Sequence, residues 1–411
     1  MERVVITGMG VLTALGPDRE AFWRSLAAGK SGIGPIPEAV GPAPEFGMNC
    51  VRFKNAGVVR DYDPEAHFPR KTLTFMDRFA QFAVIAARQA VQDAGIEWTP
   101  ELRETTAIVT GSCMGGRTAA EVGYWELFHQ GRSRVHPLTI PLEMTNAGAS
   151  HISIDFGIQG PAFTISTACS SSAHAIGQAY WMVRSGAAPM AIAGGAESPL
   201  FLGGLKAWEA MRVVSTDTCR PFSADRTGMI LGEGAAMLVL EPLDRALGRG
   251  ARPLGEIVGF GMSADAGHIT QPAPDGAALA IRAALRDAAL APEAVGYINA
   301  HGTATDVNDR METAAIRKVF GRHADRLAVS STKSMHGHTM GAAGAVEAAA
   351  TVLALRHGIL PPTANYNAPD PECDLDVVPN QARAAQVETA LSESFAFGGL
   401  NAVLAFRAYS G

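Results

Sequence analysis

Apolar and polar positions along this chain switch between a period of about two and a period of about 3.6, the two signatures of strand and helix. Val4-Val-Ile-Thr reads as a buried strand that breaks at Gly8-Met9. From Met76 to Asp93 the spacing predicts a helix, with Phe79, Phe82, Ala83, Ala86, Ala90 and Val91 on one face and Gly95 as its stop. Ala107 to Val109 and Ala162 to Ile165 are apolar, β-rich runs, the second followed by small residues and then helix formers. Further on, Ile257-Val-Gly-Phe-Gly-Met262, Tyr297-Ile-Asn and Leu327-Ala-Val-Ser read as strands, and an Ala/Gly-rich helix begins near Gly341. Strands alternating with helices predict a parallel sheet. The second half also echoes the first. Each half opens on a strand that stops at Gly-Met, and each later runs strand, Ser/Thr turn, small-residue helix, from Phe163 to Ala175 and from Val329 to Ala345.

Composition narrows the class. With 47% hydrophobic and 18% charged residues and a mean hydropathy of +0.09, a chain of this length buries a large core and reads as soluble and globular. Length alone favours two or three domains, but no Pro-, Ser- or charge-rich linker divides the sequence, so one compact unit is expected. The Pro/Gly-rich stretch from Gly32 to Pro44 is short. No apolar run reaches the ~18 residues of a membrane span. The N-terminus opens on a strand rather than a signal peptide, and the 5 cysteines show no paired spacing, which fits a reducing cytoplasm. A net charge of −6 without a basic cluster argues against a nucleic-acid partner.

Candidate chemistry concentrates at three strand ends. In Ile165-Ser-Thr-Ala-Cys169-Ser-Ser-Ser, a cysteine stands between a strand and the start of a helix. There the first helical N–H groups and the positive end of the macrodipole favour thiolate, so Cys169 reads as a nucleophile. A free cysteine is more often a small buried hydrophobe, yet small polar neighbours and two histidine motifs downstream favour catalysis. His301 ends a strand in Gly296-Tyr-Ile-Asn-Ala-His-Gly-Thr-Ala-Thr305, and His338 lies in Ser331-Thr-Lys333-Ser-Met-His-Gly-His338. His336 and His338 also suggest a metal pair, but no cysteine or carboxylate at ligand spacing completes a set, and no metal is expected. A Cys, His, His set fits covalent acyl chemistry.

Four ordered motifs, Thr167-Ala-Cys-Ser-Ser-Ser, His301-Gly-Thr-Ala-Thr, Ser331-Thr-Lys-Ser-Met-His-Gly-His and Phe395-Ala-Phe397-Gly-Gly-Leu-Asn401, resemble those of elongating β-ketoacyl-[acyl carrier protein] synthases, in the thiolase superfamily. The resemblance spans Val4 to Phe406. It implies an α/β thiolase fold, duplicated in five αβαβα layers, with residues 1–255 carrying the nucleophile and residues 256–411 the histidines. It implies decarboxylative condensation without a cofactor: Cys169 accepts an acyl group from carrier-protein phosphopantetheine, and a malonyl unit loses carbon dioxide to give the attacking enolate. By the same resemblance His301 and His338 stabilise that enolate, and the N–H groups of Cys169 and Phe397 form an oxyanion hole. Lys333 and Glu312 orient the histidines, and Thr270, Thr303 and Thr305 hold the pantetheine arm. Met114, in Gly111-Ser-Cys-Met-Gly-Gly116, matches a segment that closes the acyl pocket across a dimer interface, though it fits plain core as well. The partners implied are an acyl carrier protein and either a second copy of the chain or a chain-length-factor-like homologue.

Rivals within the superfamily fit less well. A degradative thiolase carries a second cysteine in its last glycine-rich motif, whereas Cys373 lies outside it; an initiating synthase has Asn where His338 stands; a non-catalytic partner subunit lacks the nucleophile. Ala396, Leu400 and Met229, a position where Phe is frequent in the family, depart from the primary fatty-acid pattern. The neighbourhoods around Trp208, Arg220 and Pro362 look closer to nodulation-type and polyene-type synthases, so the expected pathway is highly reducing polyketide or polyene synthesis, with fatty-acid elongation as the alternative.

Overall fold

The computed structural model describes residues 1–37 and 50–410, so part of the Gly32 to Pro44 stretch lies outside the described residues. Ten strands follow one another in the main sheet. In chain order they are β1 (Val4–Thr13), β2 (Ala107–Gly111), β3 (Ala162–Ile165), β4 (Ala191–Glu197), β5 (Gly234–Pro242), β6 (Gly255–Ala264), β7 (Tyr297–Asn299), β8 (Ala328–Ser330), β9 (Thr389–Ala396) and β10 (Leu400–Arg407). The helices that matter here are α1 (Arg78–Ala94), α2 (Arg117–Phe128), α3 (Ala147–Phe156), α4 (Ser171–Arg184), α5 (Pro274–Asp287), α6 (Asp306–Phe320) and α7 (Ala343–His357).

The spatial order is β8-β7-β9-β10-β6-β1-β5-β4-β2-β3. Numbering each half's five strands separately gives the same order on either side, 1-5-4-2-3 counted outwards from the centre. The directions repeat too. β1–β5 and β5–β4 are antiparallel and β4–β2 and β2–β3 parallel, exactly mirrored in kind by β6–β10, β10–β9, β9–β7 and β7–β8. The sheet is therefore mixed, not parallel as the alternation of elements predicted. A strand buried on both faces carries no polar/apolar alternation from which its direction could be read. The halves meet through three residue pairs, from Val4↔Ile257 to Ile6↔Gly255.

The expected strand break at Gly8-Met9 is absent. β1 runs on to Thr13 with one register shift between Ile6 and Gly8. The glycines serve a close helix approach instead. A Cβ on Gly8 would stand 2.1 Å from the Ala90 carbonyl oxygen, and one on Gly10 1.9 Å from that of Ala86, both in α1. The second half repeats the device: Gly259 and Gly261 of β6 lie 2.6 and 2.2 Å, on the same measure, from the carbonyl oxygens of Ala284 and Ala280 in α5. Even the side-chain link recurs, since Met9 N–H donates to Asp93 and Phe260 N–H to Asp287. α1 itself starts two residues later than the spacing predicts, because the Asp77 carboxylate accepts from Phe79 N–H as its N-cap, and it ends at Gly95 with φ +61°.

Three apolar clusters define the layers. α1 and α3 pack outside the first half-sheet, α5 and α6 outside the second, and α4 and α7 pack between them. This is the five-layered αβαβα arrangement of the thiolase fold. Residues 343–355 of α7 are buried without interruption, as a helix sandwiched between two sheets must be. No helix among the described residues is long and apolar enough to cross a membrane.

Candidate active site

Cys169 and the two histidines arrive at one point from the ends of β3, β7 and the turn before α7. One side-chain ligand atom from each of Cys169, His301 and His338 lies within 4.8 Å of the others. The imidazoles face each other edge to face, ring centroids 5.4 Å apart at 86°. They open onto a cavity of about 530 Å³ whose lining includes Met229, Thr270, Thr303, Thr305, Phe395 and Phe397.

The turn that carries Cys169 is held by hydroxyls. Ser171 Oγ accepts from Thr167 N–H and donates to the Ala168 carbonyl, while Ser170 Oγ donates to the carbonyls of Thr167 and Leu400. Ala168 takes φ +51°, a left-handed conformation that costs a non-glycine residue about 1–2 kcal/mol and that the surrounding bonds enforce. The expected thiolate is not the resting state. Burial pushes the Cys169 thiol up to about 11, against the opposing pull of the Lys333 charge and of its own backbone N–H. Two N–H groups that the helix-start reading counted on, those of Ser170 and Ser171, are already given to the Thr167 and Ala168 carbonyls.

His301 is held by charge and His338 by backbone. Glu312, fully buried in α6, accepts from His301 N–H at 2.6 Å and from Gly302 N–H at 2.7 Å, fixing the strand end that delivers the ring. Lys333 Nζ, also fully buried, donates to the His301 carbonyl at 2.6 Å, lies 3.3 Å from His301 Nδ1, and is paired with Glu347. His338 is anchored by its N–H to the Ile230 carbonyl, and its Nδ1 accepts from Met340 N–H at 3.2 Å. Burial and the nearby Lys333 charge hold both imidazoles neutral, well below the ordinary histidine range. A neutral imidazole whose Nδ1 accepts carries its proton on Nε2. Both rings therefore carry Nε2–H donors, and each brings one ring nitrogen within 4.8 Å of the Cys169 sulfur. This assignment follows from the hydrogen-bond network. It also disfavours a metal there, because coordination needs the Nε2 lone pairs that these tautomers lack. His336, the other half of the suggested metal pair, turns away: its nitrogens bond Thr332 Oγ1 and the Gly337 carbonyl.

The remaining candidates divide. Thr303 and Thr305 share a hydroxyl–hydroxyl bond of 2.8 Å at the cavity wall, and Thr270 is tied to His268 Nδ1 nearby. Phe397 is partly exposed, stacked on Trp208 at 6.2 Å, and followed by Gly398 and Gly399 at φ +82° and +68°. Met114 is half-buried and does not line this cavity; its neighbour Cys113 is the one that packs in the same apolar cluster as Cys169. Three positions in or around the site escaped the sequence reading. Glu347 was signalled by a lone charge inside the apolar run of α7. Trp208 carried no such mark, and neither did Glu197, whose carboxylate is described below. Beneath Glu312 lies Glu393 of β9, fully buried, with no hydrogen bond donated to either oxygen among the described residues; burial and the facing Glu312 push its carboxyl well up, so it stays protonated.

Comparison with known proteins decides the family. Residues 1–246 match the model of the beta-ketoacyl synthase N-terminal domain, and residues 254–367 that of its C-terminal domain. The chain belongs to the β-ketoacyl synthase family. Nodulation protein E of Rhizobium sp. (strain N33) is 46% identical over 407 residues, covering 98% of this chain and 99% of that protein. The 3-oxoacyl-[acyl-carrier-protein] synthase 2 of Synechocystis sp. is 43% identical over 418 residues, 99% of this chain and 98% of that one. Among solved structures, the ishigamide ketosynthase/chain length factor superposes with a TM-score of 0.93 at 38% identity over 100% of both chains. This synthase thus has the fold and the enzyme class that its four motifs imply.

Proposed function

We propose that the synthase condenses an acyl group held on Cys169 with a malonyl unit presented by an acyl carrier protein, in a highly reducing polyketide or polyene pathway. One observation carries the mechanism: a nitrogen from each of two imidazoles and the sulfur of one cysteine lie within 4.8 Å of one another, and both Nδ1 atoms have hydrogen-bond partners. In the first step Cys169 sulfur attacks the acyl thioester, the pantetheine sulfur leaves, and the thiol proton ends on it. The oxyanion formed in passing is stabilised by the N–H groups of Cys169 and Phe397. In the second step malonyl thioester loses carbon dioxide, and its electron pair becomes an enolate whose oxygen accepts from His301 and His338. A donor in such a position is worth roughly 2.7–4 kcal/mol. The enolate carbon then bonds the acyl carbon and expels the Cys169 thiolate, which takes a proton from water to restore the thiol. Lys333 and Glu312 fix His301, and Thr270, Thr303 and Thr305 line the wall where the pantetheine arm would run.

The pathway rests on the relatives. Nodulation protein E and the ishigamide ketosynthase stand alongside a synthase 2, and Leu400 and Met229 replace residues of the primary fatty-acid pattern. Fatty-acid elongation remains the second reading, favoured by the 43% identity to the synthase 2. A dimer of about 86 kDa, twice 43.0 kDa, with a second copy or a chain-length-factor-like homologue, is supported by the open edge of β3. Phe163 on that strand and Ile154 on α3, which packs against it, are exposed. In that dimer Met114 would face the acyl tail. The working compartment is the cytoplasm, where the thiol stays reduced.

The test is intact-protein mass spectrometry after incubation with carrier proteins bearing saturated or polyunsaturated acyl groups. Faster loading of Cys169 from unsaturated chains supports the polyene reading. Faster loading from saturated chains supports elongation, and no mass gain from any chain contradicts the enzymatic role.

A further inference from the structure

Glu197, the last residue of β4, is fully buried and its two oxygens are surrounded by donors. Oε1 accepts from Ser112 Oγ at 3.0 Å, Met114 N–H at 3.1 Å and Gly115 N–H at 3.2 Å. Oε2 accepts from Cys113 N–H at 2.8 Å and Gly341 N–H at 3.1 Å. The first group belongs to one turn, residues 112–115, whose Cys113 packs in the apolar cluster of Cys169. Gly341 belongs to another turn, and its preceding residue supplies the N–H that fixes His338 Nδ1. The two turns are pressed together: a Cβ on Gly341 would lie 2.4 Å from Glu197 Oε2 and 2.5 Å from Cys113 N.

We propose that Glu197 is a positioning residue that locks the 112–115 turn against the turn after His338, and so holds the His338 Nε2–H donor and the Cys113-Met114 segment in register with Cys169. The inference rests on the reading of His338 as an enolate donor. A carboxylate is the one side chain of this length that can accept on every side. In Glu197→Gln the amide nitrogen must face backbone donors whichever way it turns: in one orientation it opposes Met114 and Gly115 and loosens the 112–115 turn, and in the other it opposes Cys113 and Gly341 and releases the turn after His338.

The experiment measures three quantities on the full-length protein: carbon dioxide release from malonyl-carrier protein, alkylation of Cys169 by iodoacetamide, and relative loading of short and long acyl chains. Glu197→Gln should lower kcat for decarboxylation by about 100-fold, the scale of an ångström of misplacement, with KM little changed. Alkylation should stay near the wild-type rate, since the Cys169 turn is held by its own hydroxyls, and discrimination between chain lengths should weaken. A folded Glu197→Gln with wild-type decarboxylation overturns the proposal. Where Glu197→Gln does not fold, Ser112→Ala decides. It removes one of the bonds to Oε1 and should shift decarboxylation in the same direction by a smaller factor; wild-type values in a folded Ser112→Ala overturn the proposal. His338→Ala is measured in parallel. Loss of decarboxylation there with none in Glu197→Gln removes only the Glu197 inference, whereas full activity in His338→Ala removes the donor reading beneath it.

Discussion

The two halves of the molecule share strand order, pairing directions, the glycines that admit α1 and α5, and the aspartates that close those helices. Where each half brings its third strand to a helix of the central layer, they diverge. The first half presents Cys169 on a turn tied by Thr167, Ser170 and Ser171, with no ion pair of its own among the described residues. The second half presents His301 on a turn wired to buried charges, Lys333, Glu312 and Glu347, and His338 on a turn held by backbone. The difference follows the chemistry. A nucleophile needs room and a nearby N–H, which hydroxyl-bonded backbone supplies. A hydrogen-bond donor on a titratable ring needs its tautomer fixed, which a buried ammonium against Nδ1 does for His301 and the Met340 N–H does for His338.

The largest break in this comparison comes from Cys169→Ala. Loading and condensation should vanish together, by several orders of magnitude as for other covalent nucleophiles, while decarboxylation of malonyl-carrier protein continues. Radiolabelled acyl transfer and carbon dioxide release, measured side by side, check this.

The next break concerns the buried charges. Lys333→Met leaves the Glu347 carboxylate in a dry core and should destabilise the fold by about 3–5 kcal/mol. The double variant Lys333→Met/Glu347→Leu should regain much of that in chemical denaturation yet stay impaired in decarboxylation, because His301 Nδ1 has lost its donor. Equal stability of the single and double variants would show that the pair is not coupled.

A pH profile sharpens the contrast at the nucleophile. With the thiol pushed up to about 11, the thiolate fraction rises tenfold per pH unit below that value, so alkylation of Cys169 should still be climbing at about pH 9. A plateau near neutrality would mean that helix-start donors, not burial, set the thiol. The neutral histidines titrate well below 6.5, so decarboxylation should not fall off between about pH 6 and 8.

The smallest effect concerns Glu393. Its carboxyl is pushed well up, so the native state holds a proton that the unfolded chain gives up above its ordinary value near 4.5, and stability drains as pH rises. Glu393→Gln supplies a donor to Glu312 at any pH. It should keep activity and gain about 1 kcal/mol, more at pH 8 than at pH 6, in paired melting curves.

Much of this contrast is legible in the sequence because each reactive residue sits where an apolar run meets small polar residues. Cys169 and His301 announce strand ends by local pattern alone, and α1 by its period, whereas His338, also expected at a strand end, stands beyond β8 and a helical turn over Lys333–His336. What the pattern cannot carry is pairing. The direction of β5 or β10 depends on neighbours far along the chain. Gly8 and Gly10 look like a strand end until α1 is seen lying on them. Glu197 has the same difficulty, since its donors come from turns more than 80 residues away on either side. The helix-start argument for a Cys169 thiolate failed for a nearer reason: the turn's own carbonyls use the donors it relied on.

The central claim is that the halves divide the reaction, the first taking the acyl group and the second generating the enolate. His301→Ala and His338→Ala, each assayed for Cys169 loading by mass spectrometry and for carbon dioxide release from malonyl-carrier protein, test it most directly. The account predicts a loss of roughly 10²–10³-fold in decarboxylation for each variant, with loading of Cys169 largely kept. Parallel losses of both activities in both variants would contradict it.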